Sequence, residues 1–162
     1  MSDFGLKGTV ALVTGANGGI GSATVKALAE AGSTVIATDL PDHASIDGAA
    51  AYRSLDVTSE HAWSALAAEI RNTHGRLDIL VNNAGISVTN SIAETSLAEF
   101  RKCMSINVES IFLGTQAMQN LLAESGKDRA GGSSIVNLSS VGGLRGAAYM
   151  ATYCTSKGAV KL

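Results

Sequence analysis

Between residues 9 and 32 an apolar run, a glycine cluster and a helical pattern follow one another without interruption, and this succession constrains the chain more than any other feature. Thr9-Val10-Ala11-Leu12-Val13-Thr14 is short, apolar and closed by glycine, which predicts a buried strand. Ile20, Ala23, Thr24, Ala27, Leu28 and Ala31 recur at helical spacing, with Gly32 as the natural stop. The junction is Thr14-Gly15-Ala16-Asn17-Gly18-Gly19-Ile20-Gly21. Gly15, Gly19 and Gly21 permit a tight turn and bring backbone close to an incoming phosphate. The free N–H groups and dipole of the following helix stabilise such an anion. The spacing departs from G-x-G-x-x-G, and a lone glycine cluster reads equally well as an ordinary turn. The strand-turn-helix context is what favours cofactor binding, with Asn17 and Ile20 beside the glycines.

The same alternation continues. Strands are expected over Ser33 to Asp39, Tyr52 to Leu55, Leu77 to Val81 and Ser134 to Leu138. Pro41 opens a loop to about Ala49. Ser59 reads as the N-cap of a helix whose Trp63, Leu66, Ala67 and Ile70 share one face until His74-Gly75. Ser96-Leu97-Ala98-Glu99 has the capping-box pattern and opens a long helical region to about Glu124. A polar turn covers Ser125 to Gly132, and a last helix begins near Thr152. Near-continuous apolar strands alternating with helices predict an α/β fold, a parallel sheet covered by helices on each face. Such sheets hold ligands at the carboxyl ends of their strands.

Composition narrows the class. The 162 residues, 46% of them hydrophobic and 16% charged, suit one domain over 1–162 with a sizeable core, and exclude disorder as the main state. Twelve Lys+Arg against fourteen Asp+Glu, with neither sign in a block, disfavour nucleic-acid binding. No apolar stretch approaches the roughly 20 residues of a membrane span. The start, MSDFGLKGTV, is polar and lacks the apolar core of a signal peptide. Cys103 and Cys154 cannot make a disulfide framework, and His43, His61 and His74 lack metal-ligand company and read as surface residues. A cytoplasmic protein without membrane or metal partners is expected.

Chemistry is therefore sought just after the strands. Asp39 ends the second strand, 24 residues after Gly15, near the spacing expected for an acid on an adenosine ribose. A carboxylate accepts from ribose hydroxyls and repels a 2′-phosphate. No Lys or Arg stands at Ala16, Asn17 or Leu40, so NAD is expected over NADP. Tyr153 and Lys157 are four apart, on one face of the last helix. A free tyrosine has a pKa near 10, so one working near pH 7 needs its phenolate stabilised by roughly 4 kcal/mol. A lysine ammonium one turn away supplies part of that. Ser140, after the fifth strand, can hydrogen-bond a carbonyl or a developing alkoxide. Each feature is weak alone; their joint placement is informative.

Together these residues resemble the short-chain dehydrogenases/reductases, in their non-extended branch. The pattern T-G-x-x-x-G-x-G matches Thr14 to Gly21 and N-N-A-G matches Asn82-Asn83-Ala84-Gly85. An Asp-Val pair matches Asp56-Val57, a helix Asn matches Asn107, a Ser thirteen before the Tyr matches Ser140, and Y-x-x-x-K matches Tyr153 to Lys157. The resemblance implies a Rossmann-like, doubly wound, three-layered fold with strand order 3-2-1-4-5. It implies that Tyr153 exchanges a proton with the substrate oxygen and that Lys157 tunes Tyr153 and binds the nicotinamide ribose. Ser140 would orient the carbonyl and Asn107 would hold a water in the proton relay. Asp56 and Val57 would contact the adenine, while Asn82, Asn83, Ala84 and Gly85 would line the cofactor and brace the sheet. The implied function is NAD-dependent interconversion of a secondary alcohol and a ketone, possible substrates including hydroxysteroids and cyclic alcohols, in a homo-oligomer, dimer or tetramer.

The family's chains continue well past the Tyr/Lys helix, whereas this sequence stops at Leu162. It is therefore expected to be the N-terminal part of a longer chain, C-terminally truncated, with the last strands and substrate loop missing and strand five left as an apolar edge. Two other readings follow: a cofactor-binding or pairing module without turnover, and an epimerase or dehydratase of the extended branch, whose glycine spacing differs.

Overall fold

The computed structural model describes residues 5–162; the polar opening residues 1–4 lie outside that range. Five parallel strands form one sheet: β1 (Val10–Thr14), β2 (Thr34–Asp39), β3 (Ala51–Ser54), β4 (Ile79–Asn82) and β5 (Ser134–Asn137). Their order is β3-β2-β1-β4-β5, as expected. The fold is Rossmann-like. In register, Thr14 stands beside Thr38, Asp39 beside Ser54, and Asn82 beside Asn137, so the carboxyl ends form one rim. Strand limits differ from the apolar runs by one or two residues, because a run such as Leu77-Asp78 is buried before it joins the ladder.

Alternation along β1 divides the core. Ala11 and Val13 face α1 (Gly19–Glu30) together with Val25, Val35, Ala37 and Val81. Val10 and Leu12 face the other way, into a cluster with Ile36, Leu80, and the Trp63, Leu66 and Ile70 stripe of α2 (Glu60–His74). Ser59 caps α2 by accepting from Ala62 N at 3.2 Å, and Gly75 closes it. Met118, Leu121 and Leu122 add the contribution of α4 (Ser110–Gly126) to this second cluster. Trp63 is 1% exposed, and its indole N–H donates to the Val57 carbonyl at 2.9 Å. A β-carbon at Gly114 would lie 2.8 Å from its ring, so α4 meets α2 where one of them has no side chain. Burial of this tryptophan alone is worth about 3–5 kcal/mol against alanine.

The helical region after Ser96 is not continuous. Ser96 and Glu99 make the expected capping box on α3 (Leu97–Met104). A π turn at Ser105–Glu109 then separates α3 from α4. The interruption centres on Asn107, whose side chain is 1% exposed and bonded chiefly to other segments, to Ile86 and Ser156. A 3₁₀ turn (Val141–Gly143) follows β5, and α5 (Ala151–Lys161) closes the described chain. Ile135 and Val136 of β5 are 42% and 46% exposed, an apolar edge. Among the described residues no helix is long and apolar enough to cross a membrane.

Asp78, 1% exposed, ties β1 to β4. One oxygen accepts from Val10 N at 2.8 Å and from Arg76 Nε at 2.9 Å, the other from Arg76 NH2 at 2.6 Å. Burial would raise its pKa. The Arg76 and Val10 hydrogen bonds and the charges of Arg76 and Arg129 outweigh that and hold it below its ordinary value. Its contribution is therefore complete above the ordinary carboxylate range and is lost as pH falls through the lower folded value. Asp78→Asn should cost about 3 kcal/mol at pH 7. The stability gap from the parent should narrow below pH 3.8. Denaturant titrations of both forms at pH 7 and pH 3 check this; a gap that widens in acid contradicts it.

Candidate functional site

The rim of the sheet opens where β1 and β4 part. Thr14 Oγ1 accepts from Asn83 N at 3.1 Å and Ala84 N at 3.0 Å, and Asn83 Nδ2 donates to the carbonyls of Thr14 at 2.8 Å and Gly15 at 3.0 Å. These bonds press the glycine turn against the end of β4. Gly15 has φ +62, and a β-carbon there would lie 2.8 Å from Ala84 Cα; one at Gly21 would overlap the Gly15 carbonyl. Here the sequence permits no side chain. At Gly19 the situation is reversed: a β-carbon would meet nothing within 4 Å, because the space in front of the turn is open. The N-terminus of α1 has no side-chain cap and no acid in its first turn, so its N–H groups and positive end face that space.

A single cavity of about 710 Å³ runs along this rim. At one end stand Asp39, Asp56 and Val57; in the middle Gly15, Gly19, Ile20, Gly21 and the Asn83-Ala84-Gly85 segment; at the other end Tyr153 and Lys157. Asp39 is oriented by two backbone donors, Asn17 N at 2.9 Å on one oxygen and Leu40 N at 2.8 Å on the other. Asp56 accepts from Thr58 N at 2.9 Å and Thr58 Oγ1 at 2.7 Å, a local turn that fixes its carboxylate at the cavity wall. Asn17 is outside the lining, and its N–H donates to Asp39. Asn82 Nδ2 donates to Asn137 Oδ1 at 2.8 Å, bracing β4 against β5.

Lys157 is 6% exposed. Its Nζ donates to the Leu138 carbonyl at 2.6 Å, lies 6.0 Å from the centroid of the Tyr153 ring, and would lie 3.5 Å from a β-carbon at Gly85. Burial pushes its amine below the ordinary lysine value, a nearby Cys103 opposing weakly. Ser140 caps the 3₁₀ turn, accepting from Gly142 N at 3.1 Å. That turn packs on Tyr153, since a β-carbon at Gly142 would be 3.4 Å from two ring carbons. Ser139, not singled out from the sequence, lines the cavity and donates to the Lys157 carbonyl at 2.8 Å. Its donor is thus engaged, while Ser140, which is not among the residues lining the cavity, uses its oxygen as an acceptor and has its O–H uncommitted.

Asn107 is brought beside this end but not into the cavity. Its Oδ1 accepts from Ile86 N at 2.8 Å, and its Nδ2 donates to Ile86 O and to Ser156 Oγ, both at 2.9 Å. The side chain is fully committed to protein. Lys102, one turn from Ile106 on α3, is a second cation in the cavity wall that sequence reading passed over. Its position four residues before Ile106 was the available clue. The cleft combines an open space before a free helix N-terminus, an oriented acid at one end, and an amine with a phenol at the other, a set of features that suits an anionic, elongated ligand.

The model of the short chain dehydrogenase family matches residues 9–162. The chain is 36% identical over 97% of its length to the NADP-dependent (R)-specific alcohol dehydrogenase of Lentilactobacillus kefiri, covering 64% of that protein. It is 39% identical over 94% of its length to the cyclopentanol dehydrogenase of Comamonas sp. (strain NCIMB 9872), covering 63%. It is 35% identical over 96% of its length to the 3-alpha-(or 20-beta)-hydroxysteroid dehydrogenase of Mycobacterium bovis, covering 60%. The chain thus spans less than two thirds of the length of these relatives.

The buried amine has a thermodynamic consequence. A lysine with a lowered folded pKa binds its proton less tightly in the folded than in the unfolded chain. Its burial penalty is complete below the folded value and is relieved as pH rises from there toward 10.5. Relative to Lys157→Met, the parent should gain stability over that interval. Melting temperatures of both forms from pH 7 to 10 check the sign; a parent that loses ground contradicts it.

Proposed function

Because the chain belongs to the short chain dehydrogenase family, we propose that it is an oxidoreductase interconverting a secondary alcohol and a ketone with NAD. The observation that carries this reading is the single cavity joining Asp39 and the open glycine turn to Tyr153 and Lys157. A bound nicotinamide dinucleotide supplies the hydride acceptor or donor. The glycine turn and α1 N-terminus would hold its diphosphate, Asp39 its adenosine ribose, and Asp56 and Val57 its adenine. Ala84 and Gly85 present backbone to it, and the Lys157 amine reaches its second ribose.

In the oxidative direction the alcohol O–H lies against the Tyr153 oxygen and the Ser140 hydroxyl. As the carbinol carbon gives up hydride, Tyr153 removes the hydroxyl proton, and the C–O bond becomes a carbonyl. Ser140 donates to that oxygen while it carries negative charge. Lys157 provides the positive charge that favours the phenolate form of its neighbour. With the Asn107 side chain committed, its contribution to a proton relay falls to the main chain, and a π turn is where a helix loosens its carbonyls. The names of the relatives support cyclic or otherwise secondary alcohols as substrates. A small alcohol or ketone is the partner; the working form is a homo-oligomer in the cytoplasm.

NAD is favoured even though one relative is NADP-dependent. The carboxylate of Asp39 is fixed by two N–H groups at the adenosine end, where a 2′-phosphate would meet it. The second reading, a cofactor-binding or pairing module, draws on the exposed apolar edge of β5.

Two measurements test the proposal. NADH should bind at least about 10-fold more tightly than NADPH at one salt concentration, and Asp39→Ala should narrow the ratio, as expected for about 1.4 kcal/mol of discrimination. Equal affinities in the parent contradict the role of Asp39. Tyr153→Phe should lower turnover of secondary alcohols by about 10²–10⁴ while leaving the NADH dissociation constant within a factor of two. Near-parental rates in that variant contradict the mechanism; a parent that binds NADH and turns over no alcohol favours the module reading.

A further inference from the structure

Ser156 lies between the two residues of the proposed chemistry on α5, three after Tyr153 and one before Lys157, and is 0% exposed. Its hydroxyl donates to the Tyr153 carbonyl at 2.7 Å. A serine bonded back to its own helix is common and by itself structural. The distinguishing observation is the second bond, in which the same oxygen accepts from Asn107 Nδ2 at 2.9 Å.

Asn107 grips the Ile86 peptide from both sides, through Oδ1 to its N–H and Nδ2 to its carbonyl. A carboxamide has two N–H hydrogens. Ile86 takes one and Ser156 the other, leaving the Cys103 sulfur, at 3.5 Å, a weak third neighbour. Ile86 follows Gly85, the residue whose β-carbon position lies 3.5 Å from Lys157 Nζ. A closed circuit results, from the Gly85–Ile86 backbone through Asn107 and Ser156 to the turn carrying Tyr153 and Lys157. Among the described residues, the side-chain hydrogen bonds from α5 to α3 and the π turn all run through Ser156.

We propose that Ser156 is a positioning residue that, through Asn107, sets the height of the Tyr153–Lys157 turn above the Gly85–Ile86 wall of the cavity. The proposal rests on the reading of Tyr153 and Lys157 as the reacting groups. Without the Ser156 hydroxyl one buried N–H of Asn107 loses its partner, and the first turns of α5 lose their bond to the π turn. Lys157 then swings toward water. Cys103→Ala is the comparison: it removes a neighbouring buried group that touches the same residues and leaves the Asn107–Ser156 bond intact.

The test is an NMR titration of the Lys157 side-chain amine, assigned by its loss in Lys157→Arg, in the parent, Ser156→Ala and Cys103→Ala. The groups facing this amine are the Leu138 carbonyl, the Tyr153 ring and the Cys103 thiol. In Ser156→Ala the titration should move up toward 10.5; in Cys103→Ala, which removes the thiol's upward pull on this amine, it should stay at or below the parental value. In the same samples Ser156→Ala should lower kcat about 10-fold and, as the Lys157 amine leaves the ribose, weaken NADH binding; Cys103→Ala should leave kcat within a factor of two. If Ser156→Ala does not fold, Ser156→Cys, which fills the space but accepts poorly, takes its place. The tether is overturned if Lys157 titrates alike in the serine variant and the parent, or shifts equally in Cys103→Ala. The titration needs no turnover. A parent without turnover whose titration moves as stated therefore sinks the dehydrogenase reading and keeps the tether; an active parent with an unmoved titration does the reverse.

Discussion

The contact between the glycine turn and the end of β4 is the constraint on which the rest depends. Thr14 receives two backbone N–H groups from Asn83 and Ala84, and the Asn83 amide returns two bonds to the carbonyls of Thr14 and Gly15. These bonds occur where crossovers leave β1 in one direction and enter β4 from the other, so they join the two halves of the sheet at its opening. They also determine composition. With Ala84 and Asn83 this near, Gly15 and Gly21 can carry no side chain, and the start of α1 is drawn down to the rim. The open ground before Gly19 is what remains once that approach is made. That open ground is bounded on both sides by backbone already drawn close.

Much of the architecture was legible because it is written in short-range patterns. The strand runs, the Ser59 cap, the Ser96–Glu99 capping box and the glycine junction each depend on residues within a few positions of one another, while the order of the strands in the sheet came from the family resemblance. Asp39 and Lys157 line the cavity at the rim, where strand ends and helical spacing, both local facts, had put them. The π turn was not legible. Ser105 to Glu109 is compatible with an ordinary helix, and what interrupts it is the attachment of Asn107 to Ile86 and Ser156, 21 and 49 residues away. Ser156 stood as one of the unspecified positions in Y-x-x-x-K and became visible only through its contact. Ser139 and Ser140 were separable in sequence only by counting back from Tyr153. The structure distinguishes them chemically: Ser139 has given its hydrogen to the Lys157 carbonyl, and Ser140 has not.

The far end of the cavity is assembled from segments that touch little else. Its amine is anchored on the Leu138 carbonyl, its phenol leans on the 3₁₀ turn capped by Ser140, and its backbone is tied to Asn107. Three elements from separate parts of the chain thus meet at one turn of α5, whereas the end with Asp39 and Asp56 is built from β2, β3 and their immediate loops. The glycine end is held by bonds between side chains and backbone at Thr14 and Asn83, and the tyrosine end also by bonds between side chains. Substitutions near Asp39 therefore act locally, while those near Asn107 act on several groups together.

The sheet's two faces are filled unequally. Toward α1 the strands present Ala11, Val13, Val35 and Ala37; toward α2 and α4 they present Val10, Leu12, Ile36 and Leu80 against a tryptophan. Small side chains make a thin layer, and a helix resting on a thin layer sits low, so that its first turn reaches the strand ends instead of standing above them. Thickness thereby becomes a means of aiming a helix. Enlarging Ala11 or Ala37 would lift α1 away from the sheet without touching a single ligand-facing atom, whereas trimming the opposite face would cost cohesion and leave the aim unchanged. Recognition and cohesion are thus assigned to opposite sides of one sheet, and the two could be redesigned separately.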